Sequence, residues 1–359
     1  MRITIDATSA LLRSAGVKSY TYHWVRHLRQ SAKGDEIRAF PFLDDFGALD
    51  HETSTRGRWQ TLPRLALLYF VNIPGNPAID WLCAGTDIFH ASNQVHNVPR
   101  KAKLTATIHD LTCWLMPQFH TEGNVRADRN FADKIWRRAD GLIAVSENTR
   151  QDAIRLLGIA PEKIHTIYSG VPEEYFHAMP ARRARPYVLY VGTIEPRKNL
   201  DTLLDAWQQL RPDLRSSFEL VVAGPSGWSS EKTLARIRSE ATYLGYVPEP
   251  DLPGLVAGAT VFAYPSLYEG FGFPVVQAMA AGVPVLTSNS SCLPEVTGGA
   301  AALVDPQSGS EIATALTRLL ESESARTDLI VRGRQRAQQF QWDACAEQSL
   351  ALFRNLAGR

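Results

Sequence analysis

Short apolar runs punctuate the whole 359-residue chain, and amphipathic stretches lie between them. In the first half the runs are RITIDA, IRAFPF, DIFHAS, LTATIHD, GLIAVS and IHTIYSG. In the second they are PYVLYVGT, FELVVAG, TYLGYV, VFAYPS, VPVLTS and AALVDP. Short apolar strands alternating with helical stretches predict sheets covered on both faces. Ser19–Gln30 and Leu200–Leu210 have the spacing of amphipathic helices that cover such strands. Strand–helix alternation of this kind predicts an α/β chain with parallel sheets. The length exceeds one ordinary core, and the phase restarts after the basic, Pro-bounded stretch Ala178–Pro186. The expected division is a Rossmann-like domain over 1–178, a linker over 179–185, a second Rossmann-like domain over 186–340, and a terminal segment, 341–359, with a helix near Trp342–Leu356.

Bulk properties narrow the class. A hydrophobic share of 45% and a charged share of 21% describe an ordinary globular protein. A net charge of +1 carries no electrostatic footprint for nucleic acid. Cys83, Cys113, Cys292 and Cys345 lie far apart without a CxxC pair, so they read as reduced thiols and not as a disulfide frame or zinc site. MRITIDATSA reads as a strand and not as a signal peptide, and no apolar run approaches the roughly 18 residues of a membrane span. A soluble, cytoplasmic protein is expected. No GxGxxG occurs, which disfavours a dinucleotide oxidoreductase.

The segment Tyr264–Asn289, YPSLYEGFGFPVVQAMAAGVPVLTSN, carries the strongest chemistry. A strand breaks into the turn Glu269-Gly270-Phe271-Gly272, a small-residue helix opens at Pro274, and Gly282 ends it. A Gly-rich turn feeding a helix N-terminus offers free N–H groups and a positive dipole end to a phosphate. Glu269, at the mouth of that turn, suits sugar hydroxyls better than a phosphate. This segment, with the following SNSSCLPEV, resembles the signature of glycosyltransferase family 4, whose pattern is E-G-F-G-x-P-x-x-E-A-M-A-x-G-x-P-V. The resemblance implies the GT-B fold, two Rossmann-like domains with sheets facing across a cleft, and a C-terminal helix crossing back to the first domain. It also implies a retaining transferase using a nucleoside-diphosphate sugar. The first acid of the pattern is Glu269. The second, which meets the ribose in the family, falls on Gln277, whose amide keeps hydrogen-bonding capacity without charge.

Other segments extend the resemblance. Ile194–Leu200, IEPRKNL, places Arg197 and Lys198 where two cations clamp a diphosphate, with Asn199 as the expected N-cap. The family's usual Arg is Thr193 here, and Arg197 is expected to replace it. His109 ends the strand LTATIHD; a His at this place hydrogen-bonds the donor sugar in the family, and Asp110 is expected to orient it or to meet the acceptor. Gly16, in the loop after the first strand, lets the backbone approach the donor. Tyr246 and Val247 fall where the family's backbone reads the base, which leaves UDP, GDP and ADP open. Ser290, Ser291 and Glu295 sit near the ribose and phosphates by resemblance. VGTIEPRKNL and TIHDLTCWLMPQFH are similar to the mannosyltransferase-like branch that builds O-antigen polysaccharides.

The implied reaction moves a hexosyl unit, mannosyl favoured, to a glycan or lipid-linked acceptor. No DxD triplet occurs and the cations serve the diphosphate, so neither metal nor cofactor is expected. Thr61–Asn72 with Arg56 and Arg58, and the basic stretch holding Arg126, Arg129, Lys134, Arg137 and Arg138, fit peripheral association at the inner membrane face. A core helix and a solvated face account for them equally well. A nucleotide-sugar 2-epimerase of the same fold and a donor-binding partner subunit with impaired catalysis remain as alternatives. Paired-carboxylate glycosidase chemistry is disfavoured by Gln277.

Overall fold

Each apolar run forms a strand, and the strands assemble into two parallel sheets. The computed structural model describes residues 1–92 and 94–358. It divides into one unit of Met1–Gly170 with Trp342–Arg359 and another of Val171–Gln341. The first contains β1 (Arg2–Asp6), β2 (Glu36–Phe40), β3 (Ile88–Ala91), β4 (Lys103–Ile108), β5 (Gly141–Ala144) and β6 (Ile164–Thr166). Their order is β2-β1-β3-β4-β5-β6, with every pairing parallel. β3 and β5 are buried along their whole length, as a sheet covered on both faces requires. Strand order changes direction at β1 and β3, the kind of switch point beyond which open α/β sheets hold their ligands.

The C-terminal helix Trp342–Leu356 is part of this first unit and packs on the helix Gly16–Ser31. Trp24 Nε1 donates to Ser349 Oγ at 3.0 Å, and Arg354 pairs with Asp35 at 2.8 Å. Gly170 lacks a side chain for a plain reason: a Cβ there would lie 2.3 Å from Trp342 N.

The second unit contains β7 (Tyr187–Val191), β8 (Glu219–Ala223), β9 (Thr242–Gly245), β10 (Val261–Tyr264), β11 (Val285–Ser288) and β12 (Ala302–Val304). The order β12-β11-β10-β7-β8-β9 is the doubly wound arrangement, with its switch point between β7 and β10. Ala178–Pro186 has no regular secondary structure, and Ala181 N donates to Gly254 O at 2.9 Å within this unit. Among the described residues no helix is long and apolar enough to cross a membrane. All four cysteines are buried free thiols.

The loops leaving β7 and β8 touch backbone to backbone. Ile194 N donates to Pro225 O and Gly227 N donates to Ile194 O, both at 2.9 Å. A Cβ on Gly224 (φ 142°) would lie 1.9 Å from Gly192 O. Gly224→Ala is therefore expected to destabilise the protein by about 2 kcal/mol through overpacking and a strained φ. Calorimetric melting of the variant beside the parent checks this; an unchanged transition would mean the loops separate freely.

Candidate active site

In the second unit the exits of β7 and β10 form one cluster. Pro196–Lys198 is a single 3-10 turn, and Asn199 after it adopts a left-handed conformation (φ 62°), tolerated by Asn. Asn199 does stand at the N-cap position of the helix Leu200–Gln209, but its side chain caps no helix N–H. Its amide instead donates to Pro265 O (2.9 Å) and Pro306 O (2.7 Å), binding the β7 exit to the β10 exit. Leu267 N adds a bond to Arg197 O at 2.9 Å.

This stitching delivers Arg197 and Lys198 to Glu269, which is buried at 7% exposure. Glu269 Oε1 accepts from Ser266 Oγ (2.6 Å), Lys198 Nζ (2.7 Å) and Tyr264 OH (3.0 Å). The Tyr264 hydroxyl in turn accepts from Lys198 Nζ at 2.8 Å. Arg197 Nη1 lies 3.3 Å from Glu269 Oε2 and donates to Tyr268 O at 2.6 Å, while Nη2 donates to Glu195 Oε1 at 2.7 Å. Burial alone would raise the Glu269 pKa, but Lys198 and Arg197 overcome it and hold the group at about 2. With three donors Oε1 is saturated, so Oε2 is the oxygen with capacity for a further hydroxyl.

The Gly-rich turn follows directly. Gly272 (φ 85°) stands at the N-cap of the helix Phe273–Ala280, and Pro274 is its second residue, one place later than the sequence reading. Gly282 (φ 76°) closes it. The Phe271 ring is in the core between Phe273 and Phe340, so this residue can offer a phosphate only its backbone. Ser291 Oγ accepts from Glu269 N (3.0 Å) and Ser290 Oγ donates to Leu267 O (3.1 Å), so both brace the turn. Gln277 is partly exposed on the helix. Tyr246 and Val247 are partly exposed just beyond β9.

The first unit holds the other candidates. His109 follows β4 with its ring edge-on to Tyr20, centroids 4.8 Å apart. Desolvation lowers its pKa to about 4 despite the opposing pull of Asp110, so it is a neutral imidazole at neutral pH. Asp110 Oδ1 accepts from Thr112 N (3.0 Å) and Thr112 Oγ1 (2.7 Å), which makes it a loop organiser. Both residues line a cavity of about 150 Å³ that Asp6, Tyr20, Ser92 and Trp136 also line. Asp6, with its pKa raised by burial, accepts from Thr8 N at 3.0 Å and from Ser92 Oγ. The Trp136 indole N–H is buried without an acceptor among the described residues. Acidic, aromatic and donor walls together suit a hydroxylated ligand. Gly16 opens the helix Gly16–Ser31 with clear space at its Cα. Lys18, two residues on, is a loop staple: Nζ donates to the carbonyls of Leu12 (2.6 Å), Asp50 (2.8 Å) and Thr53 (2.6 Å).

Two family models divide the chain between them, Glycosyltransferase Family 4 over residues 14–175 and Glycosyl transferases group 1 over residues 173–336. The O-antigen chain mannosyltransferase B of Escherichia coli is 31% identical over 368 residues, spanning 95% of this chain and 96% of that protein. The chain belongs to glycosyltransferase family 4. Two solved structures share its fold. Sucrose-phosphate synthase of Thermosynechococcus elongatus aligns with a TM-score of 0.75 at 21% identity over 99% of both chains. Anabaena HepE in complex with UDP and glucose aligns with a TM-score of 0.71 at 18% identity over 99% of this chain and 100% of that one. The protein is thus a GT-B glycosyltransferase that takes a sugar from a nucleoside-diphosphate donor to a glycan or lipid-linked acceptor.

Within this glycosyltransferase the sequence reading missed Glu195, Tyr264 and Ser266 in the second unit, and Asp6, Ser92 and Trp136 in the first. Tyr264 and Ser266 stood inside the quoted signature, but nothing in their spacing told that both would turn onto Glu269. Asp6 left one signal, an acid closing a strand whose Ile3 and Ile5 alternate with polar residues.

Glu269→Gln is expected to cost about 3 kcal/mol at neutral pH, because two partly buried cations lose their carboxylate. The Glu269 pKa is depressed in the folded state, so its contribution is full above the ordinary value of 4.5 and fades as pH falls towards about 2. Melting of parent and variant across that range should show the gap closing; a constant gap would mean that Glu269 is not held ionised.

Proposed function

We propose that this enzyme is a retaining, metal-independent hexosyltransferase, mannosyl favoured, acting in cell-surface polysaccharide synthesis at the cytoplasmic face of the membrane. The observation that carries the proposal is the ionised Glu269 set against Lys198 and Arg197 at the β7–β10 switch point. The similarity to the O-antigen chain mannosyltransferase B supports the sugar and the pathway class. The donor diphosphate takes Lys198 and Arg197 as cations and the Gly270–Gly272 turn as a source of N–H groups. Glu269 Oε2 accepts a hydroxyl of the transferred sugar; within the first unit, neutral His109 offers an imidazole that suits a sugar hydroxyl. Gln277 meets the ribose, and the backbone at Tyr246 and Val247 meets the base.

The anomeric carbon parts from the diphosphate oxygen and bonds to the acceptor oxygen on the same face. The acceptor's proton passes to the departing phosphate. The positive charge developing on the sugar is met by Glu269 and the departing diphosphate, so no covalent enzyme intermediate is needed. Asp110 holds the loop that carries His109, and the cavity beside it receives the acceptor's hydroxylated end. Among the described residues no group of three or more His, Cys, Asp or Glu is arranged to bind a metal. The cations supply the diphosphate charge compensation in this reading.

Melting with UDP, GDP and ADP in chelator tests the donor site. The matching nucleotide at about a hundred times its Kd adds roughly 2.7 kcal/mol. Its sugar should then be transferred with retained configuration, and Glu269→Ala should lower kcat by about a thousandfold. Nucleotide binding without transfer would favour the partner-subunit reading, and epimer without transfer the epimerase. No binding at all would remove the donor site.

The helix Arg58–Val71 supports the membrane-proximal placement. Trp59 (88%), Leu62 (49%), Tyr69 (78%) and Phe70 (51%) are exposed at helical spacing, and Ile73 (43%) continues the stripe. Arg56 and Arg58 flank it. The exposed basic stretch Arg126–Arg138 runs from the helix Glu122–Lys134 into the 3-10 turn Trp136–Arg138, so Arg137 and Arg138 lie beyond the helix. An exposed apolar stripe with basic flanks is suited to anionic bilayers. Vesicles rich in anionic lipid should bind the protein, and replacing Trp59, Tyr69 and Phe70 with Ser should weaken binding at least tenfold. Lipid-independent self-association lost in the same variant would instead assign this face to a second copy.

A further inference from the structure

Glu195 is the one charged member of the cation cluster that the transfer chemistry leaves without a task. It is buried at 6% exposure, on a segment fixed by the Ile194–Pro225 and Gly227–Ile194 backbone bonds. Its Oε1 accepts from Arg197 Nη2 at 2.7 Å. Two cations, Arg197 and Lys198, thus face two carboxylates, Glu195 and Glu269, and the local charge sums to zero. A diphosphate brings at least two negative charges to cations that are already matched. It therefore competes with the internal ion pairs as it binds. Glu269 is poorly placed to give way, since Ser266 and Tyr264 also hold its Oε1. Glu195 has Arg197 as the side-chain partner the structure gives it, and that contact is the weaker constraint.

We infer that Glu195 is an internal competitor for the donor's diphosphate, holding Arg197 in the empty enzyme and setting nucleoside-diphosphate affinity downward. This rests on Arg197 and Lys198 being the diphosphate ligands. The competition acts on donor and product alike, because both carry the diphosphate. Its benefit lies after transfer, when the nucleoside diphosphate must leave before the next turnover. A carboxylate waiting beside Arg197 lowers the cost of that departure, since the cation exchanges one anion for another and is never left bare in a buried site.

A competing reading makes Glu195 a strut that aims Arg197 at the phosphate, and the two predict opposite signs. Titration calorimetry with the nucleoside diphosphate that stabilises the parent protein separates them. Glu195→Gln should bind that nucleotide on the order of tenfold more tightly, as removal of a nearby like charge implies. Product inhibition of transfer should tighten by the same factor. The gain should vanish when Arg197→Gln is added. Should Glu195→Gln fail to fold, Glu195→Met, which fills similar volume without charge, carries the same prediction. Equal or weaker nucleotide binding by a folded variant overturns the inference while leaving the donor site intact. Absence of binding to the parent protein overturns both.

Discussion

The second unit is organised around a carboxylate that would be costly to bury alone. Glu269 occupies a site where desolvation opposes ionisation, and it stays ionised because Lys198 and Arg197 are brought to it. That arrangement depends on backbone geometry well outside the charged groups. Asn199 ties the exit of β7 to that of β10, and Gly224 and Gly227 let the exit of β8 lie against the same segment. The sheet order supplies the remaining condition. Because β7 and β10 are neighbours whose crossovers run in opposite directions, a crevice opens between their carboxyl ends, and the cluster fills it.

The charge balance of this cluster also explains why a strongly cationic surface is unnecessary for an enzyme with an anionic donor. The chain's net charge is +1, and the two cations of the cluster are matched internally. In the exchange proposed above, the donor's diphosphate swaps partners within a prearranged network, which limits reorganisation when it arrives. Tyr264, which accepts from Lys198 and donates to Glu269, couples the two sides of that exchange.

The first unit uses a different design at its own switch point. Asp6 and His109 stand at the ends of β1 and β4 beside a cavity with aromatic walls, and burial shifts both towards their neutral forms. Neutral hydrogen-bonding groups suit hydroxyls, whereas the second unit's paired charges suit phosphates. The two units therefore share a sheet architecture and differ in the electrostatics at its carboxyl edge, and the difference follows the chemistry each is proposed to handle.

The strands, the parallel sheets, the small-residue helix after Gly272 and the terminal helix at Trp342 were all legible in the chain. Buried parallel strands and amphipathic helices carry their signal in local composition and period, and Gly and Pro mark the turns by their own backbone limits. The signature around Glu269 was legible for the same reason, as a contiguous motif on one strand–turn–helix. Partnership was not. That Lys18 would be consumed by three loop carbonyls, that Asn199 would bond two proline carbonyls and cap no helix N–H, and that Glu195 would hold Arg197 are outcomes of chain segments meeting in space. A hydrogen bond between residues far apart leaves no periodicity in the sequence. The chain by itself determined which elements form and where the chemistry-bearing letters stand; tertiary structure decided which of those groups already have partners, and so which atoms remain for a substrate.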